Sequence, residues 1–408
     1  MRFLFCAPII AAIPGAAFAQ PMTFEEAVSA ATANAPQLQA GALAVDARQS
    51  ASIPVAALPD PKIGLAVENF PISGPPAFTL AEDDMTMVTL SASQEIPSGA
   101  KRRARRARAQ ADVGEAQASL ALTARQVRVE AALAWLDLAY AERRLAALDR
   151  GLERISGYEG SATAGVASGS VRPAQSLEVR QAVAVLEDRR AELEAQRASA
   201  AASLTRWTGN PEPDADGPVP AFDIDPDALA GAIDRHPQLT VAGARIKRSQ
   251  ADIELARAEK RPDFMVDIAY QRRDPRFGDM VSAGVTVSLP LFARHRQDPL
   301  IAARTAEAGA ALAQREDARR ALRAELQAAL ADHTMHHDQL ERAQNTLLPL
   351  ARQQSELETA SYAAGRASLT EVIAARTKLV DAELTAIDRE VALARDAALI
   401  VLTYGDSQ

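Results

Sequence analysis

The sequence predicts a mainly helical, internally duplicated chain. Its few β-strands are pooled with those of other copies into a transmembrane barrel, and long helices continue that barrel. Three observations carry this. Residues 27–69 align without a gap on residues 228–270, placing Pro36-Gln37-Leu38 over Pro237-Gln238-Leu239 and Pro61 over Pro262, and Gly169 and Gly209 then match Gly365 and Gly405 at one common offset. Four segments, two in each half, alternate apolar with small or polar residues. Most of the rest is rich in alanine, leucine, glutamate and arginine, which are strong helix formers. A repeat of this length is too long for a solenoid and marks a duplicated module. Each half runs helix, strand, strand, long helix, long helix, so the two halves are expected to intertwine.

Residues 1–19 have the form of a secretory signal. Arg2 supplies the basic start, Phe3 to Ile13 the apolar stretch and Ala17-Phe18-Ala19 the small-residue cleavage site, so export is expected to leave a chain starting at Gln20. A membrane helix fits less well, because the stretch is short and holds Pro8 and Pro14. The sole cysteine, Cys6, falls inside this segment. The exported chain is therefore expected to lack disulfides, thiolate metal sites and a cysteine-borne lipid anchor. No later segment offers eighteen uncharged apolar residues. The net charge of −8 argues against nucleic acid as a partner and suits cations.

Residues 20–58 are expected to hold the N-terminal helices. Thr23 with Glu26 three residues on forms a capping box for the first of them, and Pro36 ends it. A second helix over 38–57 is interrupted near Pro54. The first β-hairpin lies in 59–97. There Ile63, Leu65 and Val67 alternate with Lys62, Gly64, Ala66 and Glu68, and Val88, Leu90 and Ala92 alternate with Thr89, Ser91 and Ser93. The first long helical hairpin occupies 98–209 and turns at the Gly/Ser-rich stretch 159–170. Residues 210–260 form the linker and the helices of the second repeat. The second β-hairpin lies in 261–291, where Phe264, Val266, Ile268 and Tyr270, then Val281, Ala283, Val285 and Val287, mark one face. The second long helical hairpin and the C-terminus fill 292–408, with a kink expected at Pro349.

Each strand is about as long as a transmembrane β-strand. Alternation alone fits a half-buried soluble sheet equally well; export and the lack of other apolar mass tip the balance toward lipid. Four strands cannot close a barrel, and an open edge in lipid strands its backbone groups. Two chains would give about eight strands and a bore filled by side chains, so an aqueous conduit favours three. A helix of about sixty residues is about 90 Å long and fits no compact domain of this mass. It belongs in a coiled-coil-like tube or an extended hairpin.

With these elements in place, the chain resembles the TolC-like outer-membrane efflux proteins over essentially its whole exported length, through its paired repeats and hairpin tips. PDPKIGLAVENF at 59–70, QEIPSGAKRRARRARAQA at 94–111 and VSLPLFARHRQ at 287–297 are similar to the heavy-metal branch, which serves cobalt–zinc–cadmium and copper–silver exporters. The resemblance implies a homotrimer in the outer membrane, with a 12-stranded barrel and a long α-helical barrel reaching into the periplasm. It implies a passive conduit that docks onto a periplasmic adaptor, or membrane fusion protein, and an inner-membrane pump of the resistance–nodulation–division type. By the same resemblance Tyr362, Arg366 and Glu371 would form the periplasmic gate, though Ala374 stands where relatives often carry a second acid. Gly165, Gly169, Val171, Gly365 and Ser368 would form the adaptor-contact tips.

Three further features invite roles. Glu68, Asp263 and Asp267 would place charge on the lumen face of the barrel. The run KRRARRAR at 101–108 follows a strand directly, and either snorkels toward lipid headgroups or is a solvated helix start. His333, His336 and His337 share a helix face and offer a possible metal grip, but packing or surface histidines account for them better, so no metal site and no cofactor are expected. The sequence contains no phosphate-binding glycine loop, nucleophile elbow or His-Glu-x-x-His, so no enzyme is expected. Competing readings are the same channel carrying drugs or other small molecules, a periplasmic coiled-coil structural or adaptor protein, and a periplasmic metal-binding protein built on the histidines.

Overall fold

The computed structural model describes residues 20–169 and 171–405. The proposed signal segment with Cys6, residue Ser170 and the last three residues lie outside the described residues. The chain forms two compact units, and each is assembled from both halves of the duplication. One takes the chain up to Pro36, residues 124–233 and residues 323–408; the other takes residues 37–123 and 234–322.

The second unit contains the sheet. Helix α2 (Pro36–Ser52) leads into strands β2 (Lys62–Glu68) and β3 (Met87–Ile96), and then into the first part of α3 (Gly99–Ser156). Helix α7 (Pro237–Ala258) leads in the same way into β5 (Asp263–Arg272), β6 (Met280–Ser288) and the first part of α8 (Gln297–Arg342). The four strands form one antiparallel sheet in the order β2-β3-β5-β6, so the two hairpins join through β3 and β5. Among the described residues, β2 and β6 are each paired along one edge only.

The register sorts the side chains. Leu65, Leu90, Tyr270 and Val281 lie in one cross-strand row, and they are 77%, 51%, 44% and 69% exposed. Ile63, Ala92, Ile268 and Ala283 form the next apolar row. The opposite face of β5 is less accessible than this one. The sheet thus leaves its apolar face exposed, the reverse of a soluble sheet.

The first unit is helical apart from strands β1 (Gln20–Met22) and β4 (Pro213–Ala215), which pair in parallel. Helix α1 (Phe24–Asn34) has the expected capping box of Thr23 with Glu26. Phe24 stacks edge-on against Trp135 and Phe222 at 5.6 and 5.8 Å, and the Trp135 indole donates to the Met22 carbonyl at 2.7 Å. The second part of α3 packs with α5 (Pro173–Thr208) and α10 (Leu369–Tyr404). Their shared core repeats every seven residues, with Leu148 and Ile155, Val179, Leu186 and Leu193, and Ile373 and Val380 all buried. That spacing is the signature of coiled-coil seams. Short helix α6 (Pro226–Ala232) completes the linker. Among the described residues no helix is long and apolar enough to cross a membrane, which has no bearing on a β-barrel.

One expectation needs correction, and another gains detail. The Gly/Ser-rich stretch 159–170 is not an extended turn. Tyr158–Ser168 forms helix α4, because Ala162 is buried in the helical core and Tyr158 packs on it. Tertiary packing overrides the weak helix propensity of glycine and serine. Near Pro349, where a kink was expected, the second long helix widens without a gap: residues Ala343–Leu347 form a π-turn, and α9 (Leu348–Ala363) follows with Pro349 in its first turn. The wider turn absorbs the hydrogen bond that proline cannot donate.

Gly151 allows α3 to approach α10 closely. A Cβ at this position would lie 2.5 Å from Val380 Cγ2 and 3.1 Å from Cγ1. Val380 is buried and cannot swing away. Gly151→Ala is therefore predicted to cost about 1–3 kcal/mol through overpacking, outweighing the roughly 1 kcal/mol that alanine gains in helix propensity. Thermal unfolding should show the loss, and adding Val380→Ala should restore most of it.

Candidate functional site

The face of the sheet opposite the apolar rows is built mostly from small and polar side chains. Gly64, Ser91, Ala269 and Ser282 form one row, and Lys62, Ser93, Asp267 and Gly284 form the next. Gly284 makes room for a charge: a Cβ there would sit 2.5 Å from Asp267 Oδ2. Lys62 pairs with Glu95 at 2.6 Å, with both side chains exposed. Glu68 is exposed at the far end of β2. Glu68 and Asp267 thus stand on the predicted lumen face.

Asp263 is placed differently. Its carboxylate accepts from Lys101 Nζ at 2.6 Å and from the Ser98 backbone at 2.8 Å. It ties the start of β5 to the start of α3 and is not a free lumen charge. Glu259 stands 3.2 Å from the same ammonium. The Lys101 side chain is only 8% exposed, so it neither snorkels nor sits in bulk solvent. Burial alone would lower its pKa, but hydrogen bonds and charge from Asp263 and Glu259 prevail and hold it above the ordinary lysine value. One further member of the basic run turns to an acid of the second repeat: Arg108 bonds Asp252 at 2.8 Å.

The hairpin tips belong to the other unit and repeat one design. Gly169 and Gly365 take the left-handed conformation, at φ 75° and 70°, where glycine carries no steric penalty. The Val171 backbone donates to the Gly165 carbonyl at 3.0 Å, and at the duplicated position Ala367 donates to Ser361 at 3.3 Å. The following helices start alike. The Arg172 backbone donates to the Gln175 side chain at 3.1 Å, and the Ser368 backbone to Glu371 at 2.6 Å. Glu371 also accepts from the Ser368 hydroxyl, which in turn caps the Glu371 backbone. The backbone bond from Ser368 is the main reason the Glu371 carboxyl lies below its ordinary pKa.

Among the predicted gate residues, Arg366 and Glu371 are exposed, whereas Tyr362 is half-buried. Tyr362 meets Tyr158 edge-on, with ring centres 6.5 Å apart. Gly165 is buried and Val171 packs on the helical core, which leaves Gly169 and Gly365 as the exposed glycines of the predicted contact set. The partner Tyr158 escaped the sequence reading because it belongs to α4, where a turn was expected.

The three histidines do not converge. His336 Nδ1 lies 2.6 Å from Asp396 on α10, and burial lowers the pKa of His333. The His337 side chain is 62% exposed. Among the described residues, the one cluster with metal-like spacing is the exposed group of His337, Asp338 and Glu341, which does not include the other two histidines. Asp396 lies sixty residues away in the chain, and no sequence signal linked it to His336.

Comparison with known proteins agrees with this architecture. The family model described as "Outer membrane efflux protein" matches residues 27–210 and 228–404, one match in each half. The cobalt-zinc-cadmium resistance protein CzcC of Cupriavidus metallidurans is 26% identical over 376 residues, covering 90% of this chain and 86% of CzcC. The Campylobacter jejuni CmeC outer membrane channel superposes with a TM-score of 0.79 at 13% identity, covering 94% of this chain and 85% of CmeC. CusC superposes at 0.77 with 15% identity, covering 94% and 92%.

Two substitutions test the local geometry. Asp263→Ala leaves the buried Lys101 with Glu259 as its remaining acid, and should cost on the order of 1–3 kcal/mol. Glu259→Ala should cost less. Ser368→Ala removes the N-cap and should cost about 1 kcal/mol. Because the folded pKa of Glu371 is depressed, its stabilising contribution is present above the ordinary glutamate value of 4.5 and fades as the pH falls through the folded value. Melting temperatures of the purified protein measured across that window check both claims.

Proposed function

The chain belongs to the outer membrane efflux protein family, and on that premise we propose that it is the outer-membrane conduit of a tripartite export system for heavy-metal cations. Proteins of this family are passive channels of the outer membrane and not enzymes. The observation that carries the conduit reading is the sheet: apolar rows on its exposed face, small and polar rows on the other, and two unpaired edges. In lipid, each edge must find a strand of another copy. Three copies give a barrel of about twelve strands with an aqueous bore, continued by the seven-residue seams of the helices. The likeness to CzcC supports heavy-metal cations as the cargo.

In this reading the bore moves ions because it does not hold them. Asp267 and Glu68 bias it toward cations, while serine, glycine and alanine keep it open. The exposed tips, with Gly169 and Gly365, offer a surface on which the adaptor can dock, and the adaptor links the conduit to an inner-membrane pump of the resistance–nodulation–division type. Tyr362, Arg366 and Glu371 form the constriction at the closed mouth. Tyr362 is held against Tyr158, so opening the mouth means separating those rings.

Deleting the gene should sensitise cells to cobalt, zinc and cadmium while leaving drug tolerance unchanged. A strain that loses drug tolerance alone would assign the channel to small molecules instead. In cells carrying the wild-type gene, replacement by Tyr362→Ala should admit large periplasm-excluded antibiotics by leaving the mouth ajar; unchanged exclusion would remove Tyr362 from the gate.

A further inference from the structure

The basic run at 101–108 divides into two faces. Lys101 turns to Asp263 and Glu259, on the polar side of the sheet. Arg103 lies two residues on, about 200° round the helix. Arg257 stands in the same relation to Glu259. Both therefore point away from the Lys101 cluster, near the end of the sheet where Ile96 pairs with Phe264. Arg261 lies three residues before Phe264. These residues all belong to the unit that contains the sheet.

Arg103, Arg257 and Arg261 line a groove of about 500 Å³ between α3 and α7. Its floor is Ala100, Ala104, Ala107 and Ala258, and its one acid is Glu254. Glu254 already accepts from Arg257 at 2.7 Å. Three guanidiniums thus face one engaged carboxylate. Arg103 and Arg261 are left without an acid among the described residues. Along the chain the groove adjoins the end of the exposed apolar band: Ala100 follows Ile96 by four residues, and Arg261 precedes Phe264 by three.

We propose that this groove seats the phosphate of an anionic phospholipid, in the leaflet on the helical side of the membrane. The inference rests on the channel reading and adds a lipid site to it. Charge selects the occupant: guanidinium pairs matches a phosphate in geometry as well as sign. Continuity selects its source. A lipid whose chains lie along Phe264 and Ile96 brings its headgroup to the level of Arg261, Arg257 and Arg103. Arginine side chains extend from an apolar surface to a polar headgroup layer in this way. A free anion would gain nothing from the alanine floor or the neighbouring apolar rows.

The test uses the full-length protein reconstituted into phosphatidylcholine vesicles with or without phosphatidylglycerol, followed by extraction and measurement of the lipid that stays bound. Wild type should retain phosphatidylglycerol over phosphatidylcholine. Arg103→Gln with Arg261→Gln should cut that preference by about fivefold or more, the effect expected for one or two basic side chains at an anionic surface. Arg320→Gln, which removes an exposed charge from α8, should leave it intact. The inference is overturned if the double variant keeps the wild-type preference, if Arg320→Gln lowers it equally, or if inorganic phosphate displaces the lipid at matched concentration. Protein that enters both kinds of vesicle without preference overturns the lipid site alone. Protein that enters neither overturns the channel reading as well.

Discussion

The structure depends on a backbone constraint. Among the described residues, strands β2 and β6 each leave a row of amides and carbonyls unpaired, while apolar side chains beside them are exposed. In water such an edge invites aggregation; in lipid each unpaired group costs several kcal/mol. The proposed association with further copies would resolve both problems at once. At one end of the sheet the ion pair of Lys101 with Asp263 ties the start of β5 to the start of α3.

The composition follows from the same constraint. Aromatics are 4% of the sequence, too few for a thick core. The buried positions are instead seams of valine, leucine, isoleucine and alanine repeating every seven residues. A wall of helices needs one buried stripe per neighbour, and this sequence supplies it. Many of the charges left over pair across helices, as in Arg143 with Glu390 and Arg189 with Asp381. Exposed pairs of this kind contribute little stability individually and serve better to set the register of one rod against the next.

Much of the fold was legible in the sequence because it is governed by short-range rules. Strand alternation placed Ile63, Leu65 and Val67 on one face, Thr23 with Glu26 marked the first helix start, and Pro349 marked the widened turn. Interactions distant in the chain were hidden. Nothing in the two hairpins indicates that β3 lies beside β5, and without that neighbour the clamp between Lys101 and Asp263 cannot be foreseen. Helix α4 was missed because glycine and serine were judged by local preference, whereas Ala162 and Tyr158 are held by partners elsewhere in the chain. At the tips, the residue types suggested a gate, but the geometry added a local task. Glu371 caps its own helix just as Gln175 does in the other half.

The central claim is that several copies share one barrel. Native mass measurement of the protein extracted from the outer membrane in mild detergent tests it most directly. The account predicts a species of three chains that withstands dilution and separates when pairing of β2 with β6 is blocked by proline substitutions at both edges. A single chain, stable and soluble without detergent, would contradict it.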